Sequence, residues 1–204
     1  MSVFDIDSKP MQTLNSIGEM MILNVCWLIG SLPIVTIGAS CTAMYTVMGR
    51  RLRHEGSGTA GPFFRAWLEN LRSSTGFWIL QALCSVSLVL MFLLSAQSVV
   101  RGVLVTLLVL INLVFSLTYP QIARYENRWF SYLRNAVILF LPKLGWIVLN
   151  LLVLLAPVLL FLAAPVTFVQ YSILWLLFGF SAQFYLSAKL QQRILLPLEQ
   201  RVSS

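Results

Sequence analysis

The sequence predicts an all-α, polytopic membrane bundle of about five transmembrane helices, and three observations predict it. First, only 10% of the 204 residues are charged while 58% are hydrophobic, and the mean hydropathy is +0.83. Soluble domains carry roughly 25% charged residues, so this chain cannot cover its surface with water-facing groups. Second, apolar stretches of about the 20 residues needed to cross a bilayer recur along the chain. Third, the Lys and Arg residues fall almost wholly between those stretches, in alternate connections that share one side. Tails and loops are too short to fold alone, so residues 1–204 read as a single membrane domain.

The first apolar run covers about 20–45 and is longer than one crossing requires. Gly30-Ser31-Leu32-Pro33 interrupts it. Proline lacks a backbone donor and clashes with the preceding turn, so a broken or kinked first helix is expected at Pro33. Backbone groups freed there need partners in protein or water, which places the break against other helices or a cavity. The second and third spans are about 76–95 and 102–119, joined tightly around Arg101. The fourth and fifth are about 144–163 and 166–187, separated at Ala164-Pro165.

Between the spans, the run after Gly61-Pro62 sets Phe63, Phe64, Trp67, Leu68 and Leu71 opposite Arg65, Glu69 and Arg72. Such a pattern suits a short helix lying in the membrane interface; residues 129–135 are similar. Trp67-Leu68-Glu69-Asn70 echoes Tyr132-Leu133-Arg134-Asn135, and Gly76-Phe77-Trp78-Ile79 echoes Gly145-Trp146-Ile147-Val148. The second half thus reads as a repeat of the first.

Of the 14 Lys and Arg residues, 12 lie in the loops 46–75 and 120–143 or in the C-terminal tail, leaving Lys9 and Arg101 opposite. Positive loops stay cytoplasmic. The expected setting is a bacterial cytoplasmic membrane, with basic loops and C-terminus inside and N-terminus outside. A re-entrant hairpin at Pro33 would instead return the N-terminus to the cytoplasm. The net charge of +7 and pI near 9.8 are accounted for by topology, and no nucleic-acid partner is expected.

Chemistry is sparse. Cys26, Cys41 and Cys84 show no metal-ligand spacing and read as small buried apolar residues. Gly38-Ala39-Ser40-Cys41 looks like a lipoprotein cleavage site, but its leader is acidic and overlong for a secretory signal. The sole histidine, His54, sits in a basic loop, and Glu55-Gly56-Ser57-Gly58 lacks phosphate-loop spacing. No span carries an ionisable residue at depth, so neither catalysis nor carboxylate-coupled transport is expected, and no cofactor or metal. The deep polar residues are Asn24, Gln81, Asn112, Asn150 and Gln183, best read as interhelical hydrogen-bonding groups, with lining of a ligand cavity as the other reading. Gly38/Thr42 and Ala39/Ala43 are small-xxx-small pairs that permit close packing within the chain or with a partner, including a second copy.

The stretch Leu23-Asn24-Val25-Cys26-Trp27-Leu28, the string Ser31-Leu32-Pro33-Ile34-Val35-Thr36-Ile37-Gly38-Ala39, and Tyr119-Pro120-Gln121-Ile122-Ala123-Arg124-Tyr125-Glu126-Asn127 closely resemble the YesL family. Tyr125 stands where that family's pattern suggests Phe. The family comprises bacterial multi-pass membrane proteins without an established activity, encoded near carbohydrate transport and polysaccharide-degradation genes. The resemblance implies a non-catalytic accessory of carbohydrate uptake or sensing, with an ABC transporter permease or a membrane sensor as partner. A small-solute (sugar) transporter or channel is the alternative. The residues expected to touch a ligand or partner are Asn24, Trp27, Ser31, Pro33, Thr36 and Gly38.

Overall fold

The computed structural model describes residues 9–55, 58–125, 129–140 and 142–202, and every regular element among them is helical. Four stretches are long and apolar enough to cross a membrane: Ala60–Leu94, Ser98–Ile122, Leu144–Ala163 and Ser172–Ile194.

The first run does not cross as one broken helix. Helix α1 (Lys9–Ser31) ends before Pro33, a single 3-10 turn follows at Ile34–Thr36, and α2 (Ile37–Leu52) begins. The Thr36 hydroxyl lies 2.8 Å from both the Gly30 and Pro33 carbonyl oxygens and donates to them, supplying a partner where the helix stops. The chain then reverses: Arg51 near the end of α2 pairs with Glu19 of α1, and Ser40 lies beside Gly30. These contacts make α1 and α2 an antiparallel hairpin. Sixteen residues of α2 rise about 24 Å, short of the roughly 30 Å needed to cross. The run at 20–45 is therefore folded back on itself at Pro33, and the start of α1 lies at the same end of the bundle as Arg50, Arg51 and Arg53. The described residues thus take the hairpin that is the other expectation for this run. Arg101 becomes the lone Lys or Arg at the far end among the described residues.

Inside the hairpin, α1 buries Leu23, Asn24, Cys26 and Gly30, while Ile22, Val25, Ile29 and Leu32 face outward. This is the stripe that helical periodicity requires. Cysteines replacing Glu19 and Arg51, with the native cysteines removed, are expected to be joined within one chain by a short bifunctional thiol reagent. A first segment laid out straight would hold these positions, 32 residues apart, about 48 Å from each other.

Helix α3 (Ala60–Leu94) has 35 residues and extends about 52 Å. The separate interfacial helix expected after Pro62 is instead its first turns. Nothing between Leu71 and Gly76 breaks a helix, since an internal glycine costs only about 1 kcal/mol. Phe63 and Ala66 are buried with Leu23, Met44 and Met48 rather than laid on lipid. In the second half, Pro142 does separate α6 (Trp129–Phe140) from α7 (Leu144–Ala163).

Helix α3 turns back into α4 (Ser98–Ser116), continued by the short α5 (Thr118–Ile122). After α7 come two short helices, α8 (Pro165–Gln170) and α9 (Ser172–Leu174), then a π turn at Trp175–Gly179 and α10 (Phe180–Val202). The last crossing stretch thus begins about six residues later than the expected 166, because Pro165 opens the connector rather than the span.

Candidate functional site

The six residues expected to form one site are spread through the hairpin. Asn24 is fully buried; its Nδ2 donates to the Leu176 carbonyl, and its Oδ1 accepts from the Ser181 N–H at 2.9 Å. Those backbone groups are five residues apart, one inside the π turn and one just past it, and a single side-chain amide bonds both. Trp27 stacks on Phe180 with ring centroids 4.3 Å apart. Ser31 Oγ is buried without a hydrogen-bond partner, Pro33 is exposed at the hairpin tip, and Thr36 holds the turn. Gly38 packs where a Cβ would stand 2.5 Å from the Ser74 carbonyl oxygen. These residues position α1 and α2; none of them lines the cavities described next.

Each of the deep polar side chains makes at least one hydrogen bond, although Asn150 Nδ2 is buried without a partner. Gln81 Nε2 donates to Asn112 Oδ1 at 3.0 Å, joining α3 to α4. Gln183 Nε2 reaches the Val153 and Leu154 carbonyls at 3.0 and 2.6 Å, and Ser187 Oγ donates to Asn150 Oδ1 at 2.5 Å, joining α10 to α7. Thr42 and Ser74, both fully buried, share a hydrogen bond of 2.7 Å between α2 and α3. Interhelical bonds of this kind contribute about 0.6–2 kcal/mol each, which makes helix association their main work.

One group of them also borders a cavity of about 170 Å³ between α2, α3, α4, α5, α7 and α10. Its polar lining is Tyr45, Gln81, Asn112, Ser116 and Tyr119. The rest of the lining is Leu151, Leu154, Leu155, Phe184 and Cys41. Tyr119 donates to Gln81 Oε1 at 2.6 Å, and Tyr45 OH meets Ser187 Oγ at 2.6 Å. Sequence reasoning found Gln81 and Asn112 but missed Tyr45 and Tyr119. They stand near the ends of their apolar runs, where an aromatic ring ordinarily marks the membrane surface.

Toward the basic end an open cavity of about 860 Å³ is bordered by Arg50, Glu69, Asn70, Arg124 and Tyr132. A narrow space of about 30 Å³ lies between, touching Thr46, Ala123 and Arg124 on one side and Tyr45 on the other. In the nearby loop Arg53 Nε donates to Glu55 at 2.8 Å, and that bond holds the exposed Glu55 carboxyl below the usual carboxylate range. Among the described residues no three His, Cys, Asp or Glu side chains come together in a metal-binding group.

No curated protein and no solved structure is detectably similar to the chain. Residues 20–92, which comprise most of α1, all of α2 and nearly all of α3, match the family described as "Protein of unknown function, DUF624".

Proposed function

We propose that this protein is a non-catalytic membrane accessory of carbohydrate uptake or sensing, docking through its N-terminal hairpin onto an ABC transporter permease or a membrane sensor. The observation that carries the reading is the hairpin itself. Its inner face spends its polar groups on the bundle, with Asn24 on the π turn and Thr42 on Ser74. Its outer stripe and tip stay apolar and uncovered, with Leu32 78% and Ile34 73% exposed. A hairpin whose second helix is too short to cross leaves its outer stripe uncovered by the bundle, and a partner helix laid along that stripe gives it a use. The carbohydrate part of the proposal rests on the resemblance of Ser31–Ala39 and Tyr119–Asn127 to the YesL family.

A photo-crosslinking residue placed at Leu32 in living cells is expected to capture one discrete membrane protein, with Leu107 on α4 as lipid-facing control. Adducts to lipid alone at both positions would remove the docking reading. Capture of a second copy of this chain would replace the heterologous partner with a homo-oligomer.

A further inference from the structure

We propose that the cavity bordered by Tyr45, Gln81, Asn112 and Tyr119 binds a small uncharged, hydroxylated molecule that enters from the basic end past Tyr45. The inference stands independently of the partner suggested above.

Size comes first. A cavity of about 150 Å³ accommodates a benzene-sized ring, and this one measures about 170 Å³. Charge is the second criterion. The lining contains no Asp, Glu, Lys, Arg or His, and an ion taken there from water would lack a counter-charge, which costs many kcal/mol. Polarity is the third. The wall formed by α3, α4 and α5 keeps hydrogen-bonding capacity after its internal bonds are made: Gln81 Nε2 has a second N–H, and the Tyr119 oxygen, already donating, can still accept. The leucines and Phe184 in the lining offer only apolar contact. A ring with hydroxyls on its edge and a hydrocarbon face satisfies both kinds of lining, whereas a plain hydrocarbon leaves the spare hydrogen-bonding capacity unused.

Access is the fourth. Tyr45 borders both the cavity and the narrow space leading toward the basic end. That space shares Thr46, Ala123 and Arg124 with the wide mouth. The hydroxyl of Tyr45 is latched on Ser187, which is itself bonded to Asn150 of α7. Movement of one side chain would therefore join the three spaces, and the latch ties that movement to the packing of α7 against α10.

Cys41 lies in the lining and reports on the site directly. The experiment uses the full chain with Cys26→Ala and Cys84→Ala, purified in detergent, and follows modification of Cys41 by methyl methanethiosulfonate. Saturating glycerol, D-xylose or phenol is added in turn, with D-glucuronate as the charged comparison. At least one of the three neutral probes is expected to slow the modification threefold or more, and glucuronate to leave it unchanged. Tyr45→Ala should accelerate it about tenfold, and Tyr45→Phe, which only frees the latch, by less. Equilibrium dialysis of the protective probe should show binding lost in Asn112→Leu and kept in Leu107→Ala. An unreactive Cys41, protection by none of the neutral probes, or equal protection by glucuronate would overturn the site. An unchanged rate in Tyr45→Ala would overturn the entry route.

Discussion

Gly38→Leu is expected to leave almost no folded protein, and Gly38→Ala to lower stability by about 1–3 kcal/mol. The reason is the nature of the obstacle. A Cβ at this position would stand 2.5 Å from the Ser74 carbonyl oxygen and 2.8 Å from Trp78 Cβ, so the clash is with backbone and with the root of a side chain. Neither can swing away as a side-chain tip could. Separating α2 from α3 to make room would stretch the Thr42–Ser74 hydrogen bond, whose two hydroxyls are wholly buried. The measurement is thermal unfolding in detergent together with abundance in the membrane. Leu107→Ala, on an exposed face of α4, serves as the control. Wild-type unfolding in Gly38→Leu would show that α2 does not pack on α3 at this point.

Asn24→Ala is expected to cost roughly 3 kcal/mol, and Asn24→Asp no less. Removing the amide takes a partner from the buried Ser181 N–H and from the part-buried Leu176 carbonyl, and a buried polar group left unpaired costs about 1–3 kcal/mol. Aspartate restores an acceptor for Ser181 but places a carboxylate against the Leu176 carbonyl oxygen, which it cannot satisfy without binding a proton. Hydrogen exchange gives a local readout: the Ser181 amide should exchange faster in Asn24→Ala, while amides near the middle of α7 change little. Uniform acceleration over all helices would mean that Asn24 supports the fold generally rather than the π turn in particular.

Much of this architecture could be read in advance where local chemistry decides it. The span at 144–163 agrees with α7 to the residue, since Lys143 and the Ala164-Pro165 pair bound it. The stop at Pro33 was likewise legible, because proline lacks a backbone donor and clashes with the preceding turn, although Pro157 is carried inside α7. What followed the stop was not. A broken helix and a reversal share the same local signals, and distant contacts such as the Glu19–Arg51 pair, 32 residues apart, separate them. The length of α3 escaped for the opposite reason: amphipathic and fully apolar stretches look like two elements, yet no residue between them ends a helix.

The candidate site divides in the same way. That Asn24, Gln81, Asn112, Asn150 and Gln183 turn inward follows from the expense of facing lipid. Their partners depend on which helices become neighbours, and so on tertiary structure. The six residues expected in the first segment lie near the hairpin because a proline break is a local signal. The cavity gathers its lining from six helices, and Tyr45 and Tyr119 carry no mark in the sequence that distinguishes them from ordinary interfacial aromatics. The π turn has no local signature beyond Gly179, which makes room for the Trp175 ring.

The bond between Asn24 and Ser181 also sets an order of assembly during biosynthesis. The two residues are 157 positions apart, and ribosomes add about 5–20 residues per second. The hairpin is therefore made roughly 8–30 s before the segment that completes it. Through that interval the Asn24 amide has no native partner, while α3, too long and apolar to remain in water, is already available. The earliest native packing is then α1 on α2, followed by α2 on α3. The last-synthesised helix closes the assembly by docking on the first, so truncation anywhere before Ser181 leaves an inserted but unsealed intermediate for the cell's membrane proteases.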